Sequence, residues 1–251
     1  MKILKNVFVQ ALLIAIVLTS LSYGVGFVAG WVTALNWLEV FAVFTSYAST
    51  YLCVKQKRFN YIFGAISSGA YCYLFFTTGL LASTVLNAAL AVWLIYGWFR
   101  WRSDANTLPV TSLLAPGNRK WIPVYIIGSL VFYGVVLAAV TALGGTLAVI
   151  DSVILVFTVL AQILLDNKKI ETWPVWVIVN VAAIYVYFSS GLFLVGVQYI
   201  FFLANTLYGY YEWHKSKNAT VPPSPTAAPD DLDIWTDLGF TDVEARELKE
   251  L

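Results

Sequence analysis

Three side chains carry hydrogen-bonding chemistry where a bilayer would want Leu: Gln198, Tyr199 and Asn205, inside the apolar stretch from Gly191 to Trp213. An uncompensated amide in hydrocarbon costs several kcal/mol by order of magnitude, so these groups must face other helices or a wet cavity. Gln198 and Asn205 are seven residues apart, close to two helical turns, and share a face. Other neutral groups lie at similar depth in other apolar runs: Asn87, Gln162 and Asn180, with the rings of Trp93, Trp176 and Tyr185. Amides and phenols hydrogen-bond a neutral or weakly charged solute bearing hydroxyls and a ring without trapping it strongly. Aromatic faces stack on a heterocycle, or attract a cationic one by about 0.5–2 kcal/mol. For each amide the other reading is interhelical glue, worth about 0.6 kcal/mol on average. Both readings stay open for any single residue.

Covalent or metal chemistry finds no foothold. The one histidine, His214, sits beside Trp213 at the end of an apolar run. No Cys/His/acid cluster has metal-ligand spacing, and no glycine-rich phosphate loop is present. No lysine lies mid-span, so a retinal Schiff base has no site. The sequence therefore predicts no enzyme, no catalytic residue, no metal and no cofactor.

The elements that position these groups follow from composition. The chain has 251 residues, 60% of them hydrophobic and 12% charged, where soluble domains carry about 25% charged residues. With a mean hydropathy of +0.76, this reads as an all-α integral membrane protein of several spans. The net charge of +1 argues for no nucleic-acid partner, because the charges gather in short loops and the tail. Cys53 and Cys72 fall inside apolar runs and read as small core residues. Lys2 and Lys5 precede an apolar run that exceeds the roughly 7–15 residues of a signal core, so it reads as a retained helix.

Segments near the ~20 residues needed to span fall at 7–32, 36–54, 60–77, 80–101, 121–142, 148–166, 173–190 and 192–213. Basic residues follow the second, fourth, sixth and eighth: Lys55, Lys57 and Arg58; Arg100, Arg102, Arg119 and Lys120; Lys168 and Lys169; Lys215 and Lys217. The intervening loops carry no Lys or Arg. Basic loops stay in the cytoplasm, which predicts eight spans in the inner (plasma) membrane with both termini cytoplasmic.

Residues 39–101 lie on 151–213 without a gap at an offset of 112. About a dozen of some sixty positions are identical, a clustered match. Tyr73–Leu80 pairs with Tyr185–Leu192, Tyr96–Trp101 with Tyr208–Trp213, and Glu39 with Asp151. Each repeat has three helices and the single helix at 121–142 restores direction. This predicts a parallel, SWEET-like 3+1+3 repeat preceded by one extra N-terminal helix. The divisions are 1–35 for that helix, 36–101 and 148–213 for the repeats, 102–147 for the loop and linker helix, and 214–251 for a cytoplasmic linker and acidic tail. Lys215–Pro229 is polar and proline-rich, a flexible linker; in Asp230–Leu251, Thr241 followed by Glu244 marks a short capped helix. A solvated tail and a docking peptide both fit it.

Taken with the repeat, these endings resemble the PnuC family of vitamin transporters, known for nicotinamide riboside. The likeness covers Leu38–Trp213, and its most specific parts are Leu94–Trp101, Asp151 with Gln162, Trp173-Pro-Val-Trp176 and Asn205–Trp213. It implies passive uptake of a pyridine ribonucleoside, and a cytoplasmic kinase that phosphorylates the vitamin and prevents its return; the parallel repeat adds the expectation of alternating access. It also implies a site of Gln162, Trp173, Trp176, Asn180, Tyr199 and Asn205, with aromatics enclosing the ring and amides holding the carboxamide and ribose. Asn87, Trp93 and Gln198 join that set from depth and residue type. Asn87 stands where the family usually has Gln, and Tyr61 where Trp is expected. Thiamine, riboflavin or a deoxynucleoside on the same scaffold, or a receptor or scaffold acting through the tail, are the competing readings; homo-oligomerisation stays open.

Overall fold

The computed structural model describes residues 6–77, 81–101, 109–142, 148–189, 191 and 193–218. Gly79, which opens the earlier copy of the repeated ending, and the tail from 219 lie outside the described residues, as does the Asp151 side chain.

Among the described residues, eight α-helices stand where the eight apolar runs were read: α1 (Val7–Val28), α2 (Trp37–Val54), α3 (Phe59–Thr77), α4 (Leu81–Arg100), α5 (Ile122–Ala142), α6 (Ala148–Asp166), α7 (Thr172–Ser189) and α8 (Phe193–Asn218). A 3₁₀ turn, Arg119–Trp121, leads into α5. Among the described residues no strand forms; a lone bridge joins Thr111 to Lys169. Among the described residues, five segments are long and apolar enough to cross a bilayer: Val7–Val28, Trp37–Val54, Arg119–Ala142, Thr172–Ser189 and Phe193–Lys217. Helix α3 carries polar side chains along its length, with Asn60, Ser67 and Ser68 buried, and the described part of α6, Ser152–Asp166, is apolar as well.

Asparagines start α1 and α2. The Asn6 carboxamide accepts from the Phe8 and Val9 amides, and that of Asn36 from Leu38 and Glu39, filling donors that a helix start leaves unpaired. Helix α1 stops at Val28, short of the expected 32, because Gly30 takes a left-handed conformation (φ 74°). The Gly30 amide donates to the Phe27 carbonyl and Trp31 to Gly26, the paired bonds of a Schellman end. Helix α8 runs past the expected 213 to Asn218. Lys215 and Lys217 are adequate helix formers, and their charges suit the negative end of the helix dipole.

The chain forms two compact units, α1–α4 and α5–α8. In the first, α1 packs on α2, and α3 packs on both α2 and α4. In the second, α5 packs on α6, and α7 on both α6 and α8. The helix at the middle of each triple in sequence thus lies against both its neighbours. Helix α5 buries only Val136, and Val124, Ile126, Ile127, Leu130, Val131 and Val135 stay exposed. Such a surface is costly in water and at home in hydrocarbon.

The offset of 112 recurs in backbone detail. Gln56 (φ 55°) and Lys168 (φ 48°), 112 apart, are the two non-glycine residues with positive φ among those described. Each ends its helix in the same way. Gln56 donates to Cys53 and Lys57 to Leu52, at 3.0 and 2.9 Å; Lys168 donates to Leu165 and Lys169 to Leu164, at 2.9 and 2.8 Å. The Asn60 and Thr172 amides then return to Lys57 and Lys169, both at 3.0 Å. The α2–α3 and α6–α7 turns are one turn built twice, although few of their side chains match.

Candidate functional site

Helix α7 gathers three of the expected site residues on one face: Trp173, Trp176 and Asn180 stand at i, i+3 and i+7. Asn180 is buried, and its Nδ2 donates to Thr206 Oγ1 on α8 at 2.9 Å. Thr206 passes its own proton to the Phe202 carbonyl at 2.8 Å. One amide N–H therefore staples α7 to α8, and Asn180 keeps its Oδ1 as an acceptor. Thr206 is a site-shaping residue the sequence reading missed; its neighbour Asn205 attracted attention, and no spacing rule pairs 180 with 206.

On α8, Gln198 is buried and Tyr199 and Asn205 are partly buried. The Tyr199 ring stacks on Tyr187 of α7 (5.2 Å between centroids, 29° between planes) and meets Phe202 edge-on at 5.5 Å. Tyr187 extends the aromatic surface of this unit and was also absent from the expected set. On α6, buried Gln162 donates through Nε2 to Asp166 Oδ1 at 2.9 Å, one turn onward. The carboxylate fixes that amide's orientation and leaves the Gln162 carbonyl oxygen as the acceptor.

Trp173 is 3% exposed. Its indole meets Trp213 edge-on, 5.2 Å between centroids at 88°, and its Nε1 is buried without a hydrogen-bond partner. The first unit repeats the pair at the equivalent positions, with Tyr61 and Trp101 at 5.1 Å and 80°. Trp98, Trp101, Tyr210, Tyr211 and Trp213 stand at the ends of apolar runs, where sequence alone reads an inner aromatic belt at the lipid interface, but Trp101 and Trp213 depart from that reading. They are instead 1% and 0% exposed, held inside their units by these ring contacts. Tyr210 and Tyr211 do lie exposed, and Trp98 carries the Arg58 guanidinium on its face at 3.9 Å. Asn87 and Trp93 are partly buried on α4, six residues apart and so on different sides of that helix. They belong to the first unit, and the other seven expected residues to the second.

Before α5, a short strap is tied to the α6–α7 turn. Thr111 donates its amide to the Lys168 carbonyl and accepts from Ile170, and Lys169 Nζ reaches Thr111 Oγ1 at 2.9 Å. Glu171 Oε1 accepts from the Ser112 hydroxyl and from the Leu113 amide. The strap gives the basic end of this unit a fixed floor.

Apolar helices in two units, with neutral amides and stacked phenols among them, are the build of a multi-pass membrane protein. The comparisons agree. The model of the nicotinamide mononucleotide transporter family matches residues 36–215, and this chain belongs to that family, to which the PnuC proteins belong; it is a transporter and not an enzyme. The nicotinamide riboside transporter PnuC of Haemophilus influenzae is 28% identical over 189 residues, 72% of this chain and 80% of that one. The protein of the same name from Escherichia coli K12 is 27% identical over 209 residues, 72% and 87%. That of Neisseria mucosa is 29% identical over 192 residues, 72% and 73%. A crystal structure of the vitamin B3 transporter PnuC shares the fold, with a TM-score of 0.64 at 24% identity, over 84% of this chain and 93% of that one. The matched region starts at α2, so α1 stands outside the family model.

Proposed function

We propose that this protein imports nicotinamide riboside across the inner membrane by facilitated diffusion. The observation that carries the reading is the match to relatives named for that substrate over 72% of the chain. The chemistry of the second unit supports it. Stacked Tyr187 and Tyr199 offer a face for a pyridinium ring. Asn180 and Gln162 each have one amide N–H committed within the protein, which orients their carbonyl oxygens toward carboxamide or ribose donors. The contact set is Asn87, Trp93, Gln162, Trp173, Trp176, Asn180, Gln198, Tyr199 and Asn205. Asn87 in place of Gln and Tyr61 in place of Trp favour a related vitamin or a deoxynucleoside as the runner-up cargo.

The architecture is eight spans in a 3+1+3 parallel repeat after α1, with the basic ends and both termini in the cytoplasm. The twofold recurrence of the α2–α3 turn in α6–α7 supports it, as does the placement of Lys and Arg. The two repeats rock about the solute in alternating access, and a cytoplasmic kinase traps the product. None of these contact residues is an acid or base, and Asp166, which holds Gln162, lies at the end of α6, which favours uniport over symport. Uptake of labelled nicotinamide riboside into proteoliposomes tests this directly, beside thiamine, riboflavin and deoxynucleosides. The riboside should enter at the same rate with and without proton and sodium gradients. Preferred uptake of another cargo, or collapse without a gradient, sinks the reading.

A further inference from the structure

Outside the proposed solute site, the α1–α2 seam of the first unit holds a second collection of oxygens. Thr19, Ser22 and Tyr23 stand at i, i+3 and i+4 on α1 and share the face that packs on α2. They are 7%, 1% and 6% exposed. The Thr19 hydroxyl and the Tyr23 phenol are buried without any hydrogen-bond partner, and Thr19 does not even bond back to its own helix. Ser22 donates to the Leu18 carbonyl at 2.9 Å, so the 2.8 Å contact with Tyr47 of α2 is donated by the Tyr47 phenol. The Tyr23 phenol lies within electrostatic reach of both Tyr47 and the half-buried Glu39 carboxylate in the first turn of α2.

Three physical facts select what this cluster would hold. Orphaned buried hydroxyls each forfeit their hydration, so a polar guest is favoured. The groups are oxygens alone, the donor set of a hard cation. The local charge is negative: Glu39 is the sole acid of the pair, no Lys or Arg occurs between Lys5 and Lys55, and the carbonyl end of α1 follows at Val28. One carboxylate matches one positive charge, which favours a monovalent ion over calcium.

The second unit serves as an internal control. Shifted by 112, Thr19, Ser22, Tyr23 and Tyr47 become Val131, Gly134, Val135 and Val159, while Glu39 becomes Asp151. The hydroxyls thus have no counterpart in the second unit, where Val131 and Val135 stand exposed, and the buried cluster is particular to the first unit.

We propose that Thr19, Ser22, Tyr23, Tyr47 and Glu39 form a binding site for a hard monovalent cation, sodium, at the α1–α2 seam. The site is separate from the residues proposed to hold the transported solute. It requires the ion's presence and no gradient, so it stands or falls independently of uniport.

The test uses the full chain in lipid nanodiscs, melted in sodium chloride or choline chloride at equal ionic strength. Sodium should raise Tm saturably and choline should not. Glu39→Gln and Tyr23→Phe should each abolish the sodium-dependent rise, while Asp151→Asn should keep it. Labelled sodium should bind the unaltered protein at one ion per chain, which keeps the proposal testable if a variant fails to fold. Equal Tm in the two salts, absence of stoichiometric binding, or a sodium response retained by both variants would overturn it, the last pointing to water in the seam.

Discussion

The Trp173 indole packs directly over Gly209, and no side chain fits between them. A Cβ built on Gly209 would stand 2.2 Å from the Trp173 ring, and one on Gly97 would stand 2.1 Å from the Tyr61 ring. In each unit a glycine lets an aromatic from the neighbouring helix reach the buried tryptophan one turn further on. The Tyr-Gly-aromatic endings that reveal the repeat are thus helix-crossing points.

Gly209→Ala should destabilise the protein by about 1–3 kcal/mol, the usual cost of overpacking. The Trp173 ring cannot swing aside cheaply because Trp213 holds its edge. The second change Trp173→Leu should restore part of the loss in a thermal melt. An unchanged Tm for Gly209→Ala would refute the close approach.

Thr206→Val separates the two roles of Asn180. It removes the acceptor at 2.9 Å and leaves an amide N–H unpaired, costing stability by about 1 kcal/mol. Asn180→Leu should in addition weaken binding of nicotinamide riboside by about 1–3 kcal/mol, through the partner it strands on the ligand. Equal binding by Asn180→Leu and the unaltered protein, with a lowered Tm, would assign Asn180 wholly to helix packing.

Glu171→Ala should release the strap before α5. The Ser112 hydroxyl and the Leu113 amide both lose their acceptor, at a cost of about 1–3 kcal/mol for buried groups. Amide hydrogen exchange at Leu113 reports it: exchange should quicken there while α7 stays protected. No change at Leu113 would count against a pinned strap.

Truncation after Asn218, where α8 ends, should leave uptake of nicotinamide riboside intact, because every proposed contact precedes it. Proteoliposome uptake measures this. Loss of uptake in a chain that still folds would favour a receptor or scaffold acting through its tail.

The helices were legible because hydropathy adds up locally: each apolar run is bounded by its own charges, glycines or prolines. The ends were less so. Gly30 halts α1 through its backbone conformation, and Lys215 and Lys217 read as linker while α8 passes through them. Among the site residues, the amides stood out by type, but the hydroxyls of Thr206 and Tyr187 did not, since threonine and tyrosine are unremarkable in apolar helices.

From the sequence alone came the all-helical membrane class, the 112-residue recurrence and the family. These rest on residue type, spacing along one helix and matched motifs, which need no knowledge of neighbours. The tertiary structure decided which partner each polar group takes: Thr206 for Asn180 across 26 residues, Tyr47 for Ser22 across 25, Glu171 for Leu113 across 58. It also moved Trp101 and Trp213 from the lipid interface into the core. Hydrogen bonds act over about 3 Å, so partners are chosen by how helices cross, and a crossing is a property of two helices that neither carries in its own sequence.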